Sequence, residues 1–177
     1  MKKIIARKTK KIIIISLLSS CAVVIASFKI IIPGLCRISF DGPFYKFISI
    51  IWGPFYGSIS ASLVETTSVL LNPAGHYTLL FSLTAAMRGF LSGFIWKFLS
   101  RLVFLKSKFL KLSITVFVSD CLVCFLNSLI IKFYLCQTEK TFLCILSIRF
   151  IKEFILIILN IVILSIMLDI HQKIIKK

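Results

Sequence analysis

Residues 10–34, KKIIIISLLSSCAVVIASFKIIIPG, decide what kind of protein this is. From Ile12 to Ile32 the run is 21 residues long and its only charge is Lys29. As a helix it measures about 31 Å at 1.5 Å per residue, enough to cross a hydrocarbon core of about 30 Å. Six basic residues precede it (Lys2, Lys3, Arg7, Lys8, Lys10 and Lys11), and Pro33-Gly34 end it. A secretory leader cleaved after Val24-Ile25-Ala26 is the competing reading. It fails because apolar residues continue through Phe28 and Ile30 to Ile32, with no polar region before the cleavage site. The run is a retained first helix with a cytoplasmic N-terminus.

The rest of the chain repeats this character. Of 177 residues, 59% are apolar and 16% charged, with 17 Phe, and the mean hydropathy is +1.03. Soluble domains carry about 45–50% apolar and about 25% charged residues. At about 20 residues per span the chain holds at most six or seven helices and no soluble catalytic domain. Pro and Gly set the divisions. Pro43 to about Leu71 is apolar but broken at Gly53-Pro54, where proline removes a donor and restricts the residue before it. Helices are therefore expected at about 12–32, 43–52, 54–71, 80–104, 112–135 and 142–169, following a basic stretch at 1–11, in one membrane domain over 1–177. The fold class is an all-α integral membrane bundle of six transmembrane helices. The second helix is short enough to be broken or partly inserted.

The 22 Lys and Arg against 6 Asp and Glu would suggest nucleic acid in a soluble protein. Here apolar runs separate them, and topology together with contact to anionic lipid explains them better. With both termini cytoplasmic, 14 basic residues lie on the inner side and five on the outer: Lys29, Arg37, Lys46, Lys132 and Lys140. Ionisable residues inside spans cost about 2.5–3.5 kcal/mol each near the bilayer centre and need partners, water or a ligand. Glu65, Arg88, Asp120, Arg149, Lys152 and Glu153 are these residues. Arg149 and Glu153, four apart, share a helical face and can pair. Interhelical ion pairs and a ligand site are both open readings of the set.

The outer connections add Arg37, Ser39 and Asp41, then Asn72, His76 and Tyr77, flanked by Phe40, Phe44, Tyr45 and Phe81. Arginine grips a carboxylate with two hydrogen bonds, and aromatic faces stack on flat rings. Together they suit a planar anionic small molecule, although a loop histidine can equally be structural. Small residues recur at Ala22 and Ala26, at Gly53, Gly57 and Ala61, and at Gly89 and Gly93, spacings that let helices approach closely. Cys121 and Cys124 read as packing residues in a hydrophobic helix. No GxxxxGK[ST], HExxH or GxSxG motif is present, so the chain is not read as an enzyme and needs no cofactor or metal.

In this order the motifs are familiar. ISF at 38–40, WGPFYGSISASLVE at 52–65 and NPAGHYTLLFSLTAAMRGFLSGF at 72–94 are followed by Leu126-Asn127 and Arg149. The chain resembles the substrate-binding S components of energy-coupling factor (ECF) vitamin transporters, most closely the folate type, over about residues 12–165. Glu65 stands where the resemblance leads one to expect Asp. The resemblance implies six helices with both ends cytoplasmic in the plasma membrane. Outer segments at 33–42, 72–79 and 136–141 would close over the vitamin. It implies folate or a related vitamin as ligand, held by Arg37, Phe40, His76, Tyr77, Phe81, Arg88 and Arg149. Ala22 and Ala26 would meet a transmembrane coupling subunit, and two partner ATPases would drive the transport. The alternatives are an S component for riboflavin or pantothenate, or a small MreD-like scaffold with no ligand.

Overall fold

The computed structural model describes residues 2–32, 36–72, 79–101, 107–135 and 139–175. Within them lie six helices and one two-stranded hairpin. Helix α1 (Lys2–Ser27) leads into strands β1 (Ile30–Ile32) and β2 (Cys36–Ile38), followed by α2 (Gly42–Trp52) and α3 (Pro54–Leu71). Then come α4 (Leu79–Arg101), α5 (Lys108–Leu135) and α6 (Glu139–Ile175). The helices are longer than the apolar runs at α5 and α6, because Lys and Gln are good helix formers and do not stop a helix at the apolar boundary.

The first helix departs from its expected end. It stops at Ser27, and Ile30–Ile32 pair antiparallel with Cys36–Ile38 in the register Ile30↔Ile38, Ile31↔Arg37, Ile32↔Cys36. Two forces turn this apolar segment from helix to strand. Consecutive isoleucines are stiff at χ1 and favour the extended state, and Pro33 pushes the residue before it out of the helical region. Pairing in a hairpin then supplies the backbone hydrogen bonds that an apolar environment would leave unmet.

Side-chain bonds set the direction of each helix. Lys29 Nζ donates to Ser68 O at 3.3 Å, Asn72 Nδ2 donates to Ser27 O at 2.8 Å, and Lys11 lies over the Tyr56 ring. α1 and α3 are therefore parallel. Thr66–Ser82, Thr84–Asn127 and Lys108–Gln172 contacts make α3/α4, α4/α5 and α5/α6 antiparallel. The hairpin and the ends flanking 73–78 and 136–138 thus gather at one end of the bundle, and both termini at the other. Helices α2, α4, α5 and α6 form a ring, with α1 and α3 packed against its α2–α4 side.

The polarity of the bundle is inverted relative to a soluble protein. Phe55, Leu63, Phe94, Ile151, Phe154, Ile155 and Ile166 are exposed, while among the described residues Asp41, Lys46, Asp120, Glu153, Asn160 and eight Ser and Thr side chains are buried. Most helical Ser and Thr hydroxyls donate to a carbonyl three or four residues back, as Ser19 does to Ile15 and Thr115 to Lys111, so they enter an apolar setting satisfied. Among the described residues three stretches are long and apolar enough to cross a membrane: Thr9–Ser27, Lys108–Ile130 and Leu146–Ile174. The 11 residues of α2 amount to about 16 Å and cannot cross alone.

Candidate functional site

At the centre of the ring, α2, α4, α5 and α6 each contribute charge to one cluster. Lys46 of α2 is fully buried and donates from Nζ to Asp120 Oδ2 of α5. Asn160 Nδ2 of α6 lies 3.5 Å from the same oxygen. On α6, Lys152 Nζ pairs with Glu153 Oε2 at 2.8 Å. Arg88 of α4 sits between these two pairs. Its Nε is 3.7 Å from Asp120 Oδ1 and its Nη2 is 3.5 Å from Glu153 Oε1. Tyr45, also buried, stands one residue before Lys46 on α2.

A knot of small residues holds α4 in place for this. A Cβ on Gly57 would meet Ser49, one on Gly89 would meet the backbone of Gly57, and one on Gly93 would meet Ser49 Oγ. The three helices α2, α3 and α4 therefore touch almost backbone to backbone. Ser49 Oγ donates to Gly89 O at 2.6 Å, one residue beyond Arg88 and one turn beyond Lys46. Gly53 serves differently from the packing role its spacing suggests. It has open space around it and φ of +107°, the left-handed region a glycine enters freely, and it turns α2 into α3.

The charges within this cluster do not cancel. Each carboxylate already has a lysine: Asp120 has Lys46, and Glu153 has Lys152. Arg88 is the odd cation. Its ion-pair contacts are the longest of the set, and among the described residues neither its Nε nor Asp120 Oδ1 makes a hydrogen bond, although both atoms are buried. Arg88 and Lys152 are also the members with appreciable surface, at 23% and 20% exposure, against 6% or less for Lys46, Asp120 and Glu153. The cluster is thus open beside Arg88 and Lys152. A partly exposed guanidinium with a surplus charge, set in a low-dielectric interior, is suited to binding an anion.

No protein-family model matches the chain. No curated protein sequence matches it either. Solved structures do match it in fold, two of them as follows. One, described as the S component of a bacterial ECF transporter, has a TM-score of 0.73 and 20% identity over 96% of this chain and 99% of its own. The other, FolT bound with folic acid, has a TM-score of 0.70 and 21% identity, over 87% of this chain and 91% of its own. This is the fold of an ECF S component.

Within the S-component fold the residues singled out from sequence fall into three groups. Arg88 is in the central cluster, and Arg149 lies half-buried one turn before Glu153. Glu153, expected to pair with Arg149, is bridged by Lys152 and Arg88. Phe40 is exposed just after β2, and Phe81 is half-buried in the first turn of α4. Arg37 has a described backbone in β2, but its side chain, like all of His76 and Tyr77, lies outside the described residues. Ala22 and Ala26 are buried at 0% and 2% exposure, packed with Val64 of α3 and Phe44 of α2. The small-residue face assigned to a coupling subunit is thus filled by this chain's own helices, which the Ser19–Ser60 hydroxyl contact at 2.8 Å also joins.

Lys46 is the residue that sequence reasoning misplaced. Counted among outer basic residues, it is instead buried in the second turn of α2. The signal was present: Lys46 stands three residues after Pro43, inside FYKFISII, where an apolar helix has already begun. Tyr45 was read only as a flanking aromatic, and Asn160 was passed over. Asn160 also packs against Gly42, where an added Cβ would meet its side-chain amide at 3.1 Å.

Proposed function

We propose that the chain is the substrate-specific subunit of an ECF-type vitamin transporter and that it binds folate. Arg88 carries this reading: a partly exposed guanidinium left over after each of the two carboxylates it faces, Asp120 and Glu153, has found a lysine. Folate is an anion with a flat pterin ring, an aryl linker and two carboxylates on a glutamate tail. Arg88 and Arg149 suit the carboxylates, and Arg37 is assigned to them and Phe40, His76, Tyr77 and Phe81 to the ring by their places along the chain. FolT bound with folic acid shares this fold, which accords with folate as the ligand. Both termini are assigned to the cytoplasm, which puts the hairpin end outside, where a vitamin arrives. A coupling subunit and two ATPases would supply the energy.

Isothermal calorimetry on the detergent-purified chain tests this. Trp52 and Trp96 both pack against the Phe47–Leu112 core cluster, so a readout that needs no fluorescent reporter is the better choice. Saturable folate binding, weakened about ten- to a hundredfold in Arg88→Gln, is the expected result, since a hydrogen bond to a charged group contributes about 1.5–3 kcal/mol. Binding of riboflavin or pantothenate in place of folate would change the substrate and keep the class. A folded chain that binds no vitamin would return it to the scaffold reading.

A further inference from the structure

We infer that Glu153 is a built-in counter-ion which holds Arg88 until a ligand carboxylate takes it, and that it thereby sets the affinity of the site for anions. This rests on the anionic-ligand reading above. The two carboxylates that face Arg88 are not equivalent. Asp120 is 1% exposed, is fixed by Lys46 and Asn160, and meets only Nε, the inner edge of the guanidinium, without a hydrogen bond. Glu153 meets Nη2, a terminal nitrogen of the kind a carboxylate ligand engages. It also stands next to Lys152, on the side where the cluster is open.

The ion-pair geometry makes the exchange feasible in a low-dielectric setting. Stranding a buried carboxylate would be strongly unfavourable. When Arg88 turns to a ligand, however, Glu153 Oε1 loses a 3.5 Å contact while Oε2 keeps Lys152 at 2.8 Å. Asp120 likewise keeps Lys46. No carboxylate is left alone, and the surplus positive charge of the cluster is neutralised by the ligand. The free protein therefore spends part of its time with Arg88 committed to Glu153, and the observed affinity is reduced by that fraction.

Removing the competitor should raise affinity. Glu153→Gln keeps the side chain's shape and an acceptor oxygen but gives up the charge. Its folic acid affinity by calorimetry should rise about fivefold, the gain expected if about four-fifths of the free protein has Arg88 held. The double variant Lys152→Met/Glu153→Gln restores the wild-type net charge. It should show the same gain, whereas 6-hydroxymethylpterin, which has the ring without a carboxylate, should bind wild type and variants alike. A gain in the single variant that vanishes in the double would mean a general field effect and would overturn the inference. So would a wild type that binds folic acid beside two folded variants that bind it no better, an outcome that leaves the proposed function standing. If the wild type binds no carboxylate-bearing vitamin, the anionic-ligand reading and this inference both fail.

Discussion

Lys46 and Arg88 bring the same charge into one cluster, and their removal should have different consequences. Lys46→Met leaves Asp120, 1% exposed, with no lysine, and the loss of one partner from a buried pair costs about 3–5 kcal/mol. Thermal unfolding in detergent should register that loss, and Lys46→Met/Asp120→Asn should recover most of it by removing both charges. Arg88→Met leaves both carboxylates with their lysines. Its unfolding temperature should stay close to wild type, a cost below about 1 kcal/mol, while anion binding is lost. A residue dispensable for stability and required for ligand is what a surplus buried cation predicts. If Arg88→Met unfolds the chain, Arg88 is a structural partner and the surplus-charge assignment is wrong.

The elements hold the cluster by close approach. Gly89 faces the backbone of Gly57, which cannot give way as a flexible side chain can. Gly89→Ala should push α4 from α3 at a cost of about 1–3 kcal/mol, the range for overpacking, and should weaken ligand binding too because Arg88 is the adjacent residue. Measuring melting and affinity on the same sample separates this from a purely structural effect. Gly53→Ala places a Cβ in open space but at φ of +107°, so it should cost about 1–2 kcal/mol through the backbone alone. On α1, Ala26→Leu should destabilise the isolated chain, since Ala26 is 2% exposed against Val64 and Phe44. A substitution acting only at a partner surface would leave that melting temperature unchanged.

Over the whole molecule, charge and apolar surface are arranged for a membrane. Large aliphatic and aromatic side chains face outward and the ionisable ones inward. Moving Lys46 into the bundle leaves four of the five basic residues first counted at the hairpin end, against 11 among the described residues at the end with the termini. A fluorescent protein fused at the C-terminus should therefore fluoresce in the cytoplasm, and a periplasmic-type reporter there should stay inactive. The opposite result would invert the bundle and put the hairpin end inside.

Much of this was legible without coordinates. The apolar runs gave the helices, and Gly53-Pro54 gave the break between α2 and α3. Arg88, Asp120, Lys152 and Glu153 stood out because an ion inside an apolar run is costly wherever its helix lies. Those readings depend only on local sums and backbone chemistry, which a sequence carries in full. What it could not carry was which helices are neighbours. Lys46 reads alike at a helix start facing water and at one facing Asp120, Ala22 and Ala26 read alike against a partner and against Val64, and Ile30–Ile32 read alike as a last helical turn and as a strand. Each of these was decided by a second surface, across the bundle for Lys46 and the two alanines and across a tight hairpin for Ile30–Ile32, because charge pairing, close packing and strand pairing have no energy until that surface is in place.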